Sequence, residues 1–166
     1  MPDDEPVEVV DEAGAVVGLT TRAAMRAGNL RHRSVAVVVV TGAGALVAHR
    51  RAGWKDVWPG RWDLCFGGVA GVGEGWEDAA RRELAEEAGI DADLVELGRT
   101  SWSAPDTNLN ARVYLARSDG PFTCPDGEVV EVATVPLDQL DDWLSGRDVC
   151  HDSVDVVVPL LRRSPS

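Results

Sequence analysis

Hydrophobic positions in this chain fall mostly in short runs that predict strands, and one longer segment has the composition of a helix. The densest run, at residues 34–41, is rich in valine and is typical of a strand buried on both faces of a sheet. Shorter runs separated by turn-forming residues predict further strands at residues 8–11, 15–18, 45–50, 61–69, 94–101, 111–117 and 129–135. The first two of these flank a turn that contains Gly14 and therefore predict a hairpin.

One helix is predicted clearly, at residues 76–88. This segment contains no helix-breaking residue, is rich in Ala, Glu and Arg, and is followed by Gly89, a favoured residue just beyond a helix end. Shorter helices are predicted within residues 20–30, 137–145 and 153–161, the last shortened or kinked by Pro159. Strands with a few interspersed helices predict an α/β or α+β fold, in which helices cover a mixed β-sheet.

The length and charge of the chain exclude several classes of protein. Its 166 residues suit one domain over residues 1–166, with frayed ends at residues 1–6 and 162–166. The net charge of −12 opposes binding to a nucleic-acid polymer. The longest apolar run, residues 35–40, is far below the ~20 residues that a membrane span needs. Three widely spaced cysteines indicate neither a disulfide framework nor a zinc motif, so a reduced, cytoplasmic location is expected.

Carboxylates crowd one side of the predicted helix at residues 76–88. At 100° per residue, Glu83, Glu86 and Glu87 lie within an arc of about 100°. Such carboxylates repel one another unless a cation lies among them, and oxygen ligands of this kind suit Mg²⁺ or Mn²⁺. Because Gly67 and Gly68 allow close approach of the backbone, a carbonyl at Gly67 is a further candidate ligand.

The spacing of these residues resembles the Nudix box, Gly-x₅-Glu-x₇-Arg-Glu-U-x-Glu-Glu-x-Gly-U, in which U is an aliphatic residue. Every position matches within residues 68–90, namely Gly68, Glu74, Arg82, Glu83, Leu84, Glu86, Glu87, Gly89 and Ile90. The resemblance implies the Nudix fold, an α/β/α sandwich around a mixed sheet. It also implies hydrolysis of a nucleoside diphosphate linked to a moiety X, with a divalent ion held by Glu83, Glu86 and Glu87. Glu74 and Arg82 carry over as catalytic helpers that brace the loop and the helix.

Residues outside the box resemble the isopentenyl-diphosphate-isomerase-like branch of the Nudix family. They include Val9–Glu12, Gly18, Leu30–Arg33, Arg50, Arg51, Lys55, Pro59, Gly60, Trp62 and Asp63. The isomerase needs a catalytic Cys and two metal-binding His at positions where this chain has Gly67, Val69 and Met25. The hydrolase is therefore favoured over the isomerase. A non-catalytic Nudix module that binds nucleotides remains a third alternative, although such modules usually lose box glutamates and none is lost here.

Several other residues are candidates for contact with a small diphosphate substrate. Arg50, Arg51, Lys55 and Arg61 form the basic cluster of an acidic chain and are predicted to bind phosphates. Four tryptophans, Trp54, Trp58, Trp62 and Trp102, are candidates for stacking on a base. The general base is predicted among Glu83, Glu128 and Glu131. The sequence does not identify the moiety X. It also does not determine the oligomeric state, and a homodimer is one possibility.

Overall fold

A computed structural model of the chain describes residues 3–163. The first part of the chain forms a hairpin and a short helix, and the remainder builds one large sheet with helices on both faces. The strands are β1 (Pro6–Val10), β2 (Val16–Thr21), β3 (His32–Val40), β4 (Ala45–Arg51), β5 (Trp62–Asp63), β6 (Phe66–Val69), β7 (Val95–Ser103), β8 (Asn108–Arg117) and β9 (Val129–Pro136). The helices are α1 (Arg22–Ala27), α2 (Trp76–Ala88), α3 (Leu140–Ser145), which follows a 3₁₀ turn at Leu137–Gln139, and α4 (Val158–Arg163), which follows a π-helical turn at Ser153–Val157.

The large sheet is mixed, as the sequence predicted. Its strands follow the order β5-β4-β3-β8-β7, while β6 pairs with the first half of β3 and β9 pairs with β4. β3 and β8 are parallel over their whole length, and the other pairs are antiparallel. β3 therefore lies at the centre, which explains why its valines are buried on both faces.

Alternate valines of β3 contribute to two hydrophobic layers. Val35, Val37 and Val39 pack with Ala80 and Leu84 of α2 on one face of the sheet. On the other face, residues of β3 and β4 pack against α3, the π-helical turn and α4, including Val38, Val40, Leu46, Leu140, Val156 and Val158. The predicted α/β/α sandwich is confirmed. In the layer formed by Val35, Val37 and Val39, α2 packs against the strands that carry the predicted site.

The hairpin of β1 and β2 and the helix α1 close one end of the sandwich. Thr21 caps α1 by accepting a hydrogen bond from Ala24 N at 3.2 Å. Val7 of β1 and Met25 of α1 pack on Val69 of β6 in a small separate core. The end of β6, where the Nudix box begins, is thereby supported from beneath. Within residues 3–163, no helix is both long and apolar enough to cross a membrane.

Two sequence predictions about elements are corrected. The strand predicted at residues 61–69 is interrupted at Leu64 and Cys65, because their backbone N–H groups donate to the side chains of Ser153 and Asp63 instead of a neighbouring strand. The predicted frayed ends are also shorter than expected, since Pro6 begins β1 and α4 extends to Arg163. Residues 1–2 and 164–166 of those ends lie outside the described residues.

Candidate functional site

The site is built where β6 passes over the buried face of α2. Gly67 N donates a hydrogen bond to Glu87 Oε1 at 3.0 Å, which ties the strand to the helix. Neither glycine of β6 can be enlarged without a clash. A Cβ on Gly67 would lie 1.9 Å from Val35 O, and a Cβ on Gly68 would lie 2.8 Å from Glu83 Oε1. These glycines allow the backbone to pass directly over two carboxylates.

Arg82 clamps the turn between β6 and α2 to the carboxylates of the helix. Its Nε and Nη2 atoms donate to the two oxygens of Glu74 at 2.8 and 2.9 Å, a bidentate pair. Its Nη1 atom donates to Glu83 at 2.9 Å and to Glu86 at 3.3 Å. Glu74 also accepts from Gly71 N at 2.9 Å. The hydrogen bonds from Arg82 lower the pKa of Glu74, which is therefore a fixed anion in this brace.

A second arginine holds the same turn from the other side, and sequence reasoning missed it. Arg33 of β3 donates to Glu74 O and to Gly71 O, each at 2.8 Å. Glu8 of β1 accepts from Gly73 N at 2.5 Å and lies 3.5 Å from Arg33 Nη2. The turn that carries Glu74 is thus fixed by contacts from β1, β3 and α2. These partners are distant in sequence, so no local pattern marks them.

The three predicted metal ligands differ in burial. Glu83 and Glu87 are only 5% and 2% exposed, whereas Glu86 lies at the surface. Burial raises the pKa of Glu83, and the nearby charge of Arg82 only partly opposes this shift. Burial raises the pKa of Glu87 strongly, the charge of Glu83 adds to the shift, and Lys55 only partly opposes it. Buried carboxylates that lack enough positive charge, with oxygen atoms as the only donors, fit a hard divalent cation. The site therefore suits Mg²⁺ or Mn²⁺.

An open cleft of about 640 Å³ is lined by two of these carboxylates, Glu83 and Glu86. Arg82, Lys55 and Glu128 line the same cleft. Lys55 Nζ and a Glu128 oxygen lie 2.8 Å apart in a largely buried pair. The cleft is also lined by Arg22, Trp54, Asp126 and the turn residues Gly71 and Val72. Arg22 and Arg26, four residues apart on α1, both contact Asp56.

The structure separates the four residues predicted as one phosphate-binding cluster. Within the described residues, Lys55 is the member that lines the cleft. Arg50 pairs with Glu131 on the exposed surface at 3.1 Å, and Arg61 contacts His151 at 2.9 Å. Arg51 turns inward to Asp63, at 3.5 Å. Arg50 and Arg51 are neighbours on β4 and therefore point to opposite faces, while Lys55 and Arg61 lie in the connection to β5, so a cluster in the sequence is not one in space.

An inner cavity of about 90 Å³ also borders β6, and its lining includes His32, Cys65 and Gly67. Met25 is buried in the small core of the hairpin, and Gly67 and Val69 offer neither thiol nor imidazole. His32 is buried, its Nδ1 lies 3.0 Å from Leu30 O, and burial lowers its pKa to about 4. His32 is therefore neutral and hydrogen-bonded, and it lacks the thiol and imidazole groups that an isomerase needs at the positions of Gly67, Val69 and Met25.

The mixed sheet, the two covering layers and the buried carboxylates beside a glycine-rich strand define an α/β/α sandwich with a carboxylate-lined cleft. The NUDIX domain model matches residues 30–152 of the chain. The uncharacterized Nudix hydrolase PA4841 of Pseudomonas aeruginosa is 35% identical over 156 residues, covering 93% of this chain and 92% of the relative. The uncharacterized Nudix hydrolase YfcD of Escherichia coli is 34% identical over 137 residues, covering 82% and 76%. The chain belongs to the Nudix hydrolase family.

Solved structures agree with this assignment at the level of the fold. DR0079 from Deinococcus radiodurans superposes with a TM-score of 0.77 at 26% identity, covering 96% of this chain and 98% of that one. The Nudix domain of Shewanella oneidensis NrtR, solved with ADP ribose, has a TM-score of 0.64 at 18% identity, covering 86% and 97%. The resemblance to the isomerase-like branch stays a prediction.

Proposed function

We propose that this protein is a divalent-metal-dependent pyrophosphohydrolase that cleaves the diphosphate bond of a nucleoside diphosphate linked to a moiety X. The observation that carries the proposal is the cleft itself. Glu83 lines the cleft, Glu87 is buried beside it against Gly67 N, and both have too little positive charge around them. Arg82 donates hydrogen bonds to Glu83 and Glu86 at the edge of the cleft. The single domain is proposed to span residues 1–166.

Glu83, Glu86, Glu87 and the carbonyl of Gly67 would hold Mg²⁺ or Mn²⁺ in this cleft. When bound, the ion would neutralise negative charge that builds on the phosphate oxygens as the bond breaks. Glu74 and Arg82 keep the carboxylates in place, because Arg82 joins the turn and the helix through four hydrogen bonds to carboxylates. Lys55 lines the cleft and is the proposed contact for the phosphate that the ion does not reach.

Glu128 is the proposed general base among the three candidates. It lines the same cleft as Glu83, and its ion pair with Lys55 fixes its carboxylate there. Glu131, in contrast, pairs with Arg50 outside the cleft. The proton of the attacking water would pass to a Glu128 oxygen while the water oxygen attacks phosphorus.

Trp54 is the proposed contact for the base of the nucleotide. Its side chain is 65% exposed and lines the cleft beside Lys55. Trp58, Trp62 and Trp102 instead contact other rings, with centroid separations of 6.1 Å for Trp58 and Trp102 and 5.3 Å for Trp62 and Trp143. The ADP ribose bound by the NrtR domain is consistent with a nucleoside diphosphate in this family's cleft.

The test is phosphate or nucleotide release from a panel of diphosphate compounds, with Mg²⁺, with Mn²⁺ and with EDTA. We expect hydrolysis of at least one nucleoside diphosphate derivative, its loss in EDTA and its return with added metal. Isopentenyl diphosphate serves as the isomerase arm, and no dimethylallyl diphosphate is expected. Hydrolysis that persists in EDTA, or isomerisation at a rate comparable with hydrolysis, contradicts the proposal. Binding of nucleotides without turnover would favour the non-catalytic alternative.

A further inference from the structure

We propose a second metal site, distinct from the Nudix carboxylates, in which Asp63, Cys150 and Asp152 bind one thiophilic divalent ion such as Zn²⁺. One ligand atom from each residue lies within 4.8 Å of the other two. The three residues belong to β5 and to the segment before the π-helical turn. This site goes beyond the proposed hydrolysis and does not depend on it.

The first argument is an unsatisfied buried atom. Asp152 Oδ1 is closed off from solvent and has no hydrogen-bond partner among the described residues. Cys150 is fully buried and Asp63 is 6% exposed, so the cluster is largely shielded from bulk solvent. An unpaired buried carboxylate oxygen is costly, and a cation between the three groups would satisfy it.

The second argument is charge balance. With the thiol ionised, Asp63, Cys150 and Asp152 carry three negative charges, and Arg51 Nη1, 3.5 Å from Asp63, offsets one. Two negative charges remain, which is the charge that one divalent ion neutralises. A thiolate with two carboxylates is a donor set that Zn²⁺ accepts, whereas Mg²⁺ prefers oxygen atoms alone. Binding would release the thiol proton of Cys150 to solvent.

The third argument is that neighbouring groups already hold the ligands in place. Ser153 Oγ donates to Asp63 Oδ1 at 2.7 Å, and Cys65 N donates to the same oxygen at 3.2 Å. Cys150 N donates to Trp62 O at 2.8 Å, which fixes the thiol beside β5. Such supporting hydrogen bonds are typical of metal ligands. The inner cavity borders Asp63 and Asp152 and has room for water as a fourth ligand.

Cobalt(II) distinguishes this site from the Nudix site, because a thiolate ligand gives an intense near-ultraviolet charge-transfer band and carboxylates alone do not. Full-length protein is dialysed against EDTA and titrated with Co²⁺. We expect the band in the wild type and in Glu87→Gln, and we expect it to saturate at about one equivalent in Glu87→Gln, where the competing Nudix site has lost a ligand charge. We expect Cys150→Ser to abolish the band, and Cys124→Ser, a matched loss of another thiol, to retain it.

Asp152→Asn is the second variant, in case Cys150→Ser does not fold. It keeps the shape of the side chain and removes its charge, so we expect the Co²⁺ affinity read from the band to fall by about 10-fold or more. Absence of the band in the wild type, its persistence in Cys150→Ser, or its loss in Cys124→Ser would overturn the second site. None of these outcomes depends on hydrolysis, so this proposal and the proposed hydrolase function can fail separately.

Discussion

Glu87 shows how one side chain serves both the fold and the proposed chemistry. Its Oε1 accepts a hydrogen bond from Gly67 N, and its carboxylate is almost fully buried between β6 and α2. A glutamine retains an oxygen at this position for the hydrogen bond but carries no charge. Substitution of Glu87 by Gln therefore separates the structural role from cation binding.

We expect Glu87→Gln to fold and to lose more than about 100-fold in kcat at saturating metal, because loss of a direct ligand costs more than loss of a residue that only orients one. The matched control is Glu77→Gln, on the exposed side of the same helix, where Glu77 pairs with Arg81 at 3.0 Å. Steady-state kinetics and circular dichroism check both variants. A near-normal rate in Glu87→Gln would exclude Glu87 as a metal ligand.

Substitution of Trp54 tests contact with the substrate rather than the catalytic step. Stacking of a base on an aromatic side chain contributes about 1–3 kcal/mol, so we expect Trp54→Ala to raise KM by about 5- to 150-fold with little change in kcat. Trp54→Phe keeps an aromatic face and should restore most of the affinity. An unchanged KM in Trp54→Ala, measured on the best substrate of the panel, would place the base elsewhere.

At the scale of elements, the end of α2 depends on the backbone of Gly89. This residue has φ 73°, in the left-handed region, and its N–H donates to Ala85 O at 3.1 Å. A Cβ there would also lie 2.0 Å from Thr123 Oγ1. The helix therefore ends at the one residue type that fits both the conformation and the space.

We expect Gly89→Ala to lower the free energy of unfolding by about 1 kcal/mol or more, since the left-handed conformation alone disfavours a side chain by roughly that amount. The control is Gly18→Ala in β2, where a Cβ meets nothing within 4 Å; it is expected to be neutral or slightly stabilising. Urea denaturation measures both. If Gly89→Ala and the wild type had the same free energy of unfolding, the side chain of Thr123 would have to move away from the new Cβ without loss of stability.

At the scale of the whole molecule, the cluster of Asp63, Cys150 and Asp152 predicts how stability depends on pH in the absence of metal. Burial, together with the charge of Asp63, raises the pKa of Asp152 to about 7, from a usual 3.8. Between about pH 4 and pH 7 the folded protein therefore holds a proton that the unfolded chain releases. The contribution of Asp152 to stability is present at low pH and is lost as the pH rises through about 7.

We expect the wild type to lose stability relative to Asp152→Asn by at least about 1 kcal/mol between pH 5 and pH 8 in EDTA. Urea denaturation at the two pH values gives this difference. Asp138→Asn, at an exposed position of the 3₁₀ turn, should leave it unchanged. A wild type that gains stability relative to Asp152→Asn as the pH rises would mean that Asp152 is already ionised when buried.

The sequence by itself determined the features that depend on local spacing. Helix α2 matches its predicted bounds, because an unbroken Ala-, Glu- and Arg-rich segment before Gly89 has no competing local conformation. The arc of Glu83, Glu86 and Glu87 follows from the helical period, and the valines of β3 mark a central strand. The Nudix box lies within one continuous loop and helix, so the fold and the family follow from it without further contacts.

Tertiary structure alone decided how those carboxylates are buried and which distant residues join them. Glu83 and Glu87 are shielded because β6 crosses α2, whereas Glu86 on the same arc remains at the surface. Lys55 reaches the cleft from the loop that follows β4. Arg50 and Arg51 do not line the cleft, because they are neighbours on β4 and pair with Glu131 and Asp63 on different sides of the strand. Asp63 meets Cys150 and Asp152 across nearly ninety residues of chain. No local period encodes such contacts, because they arise only when separate elements pack together.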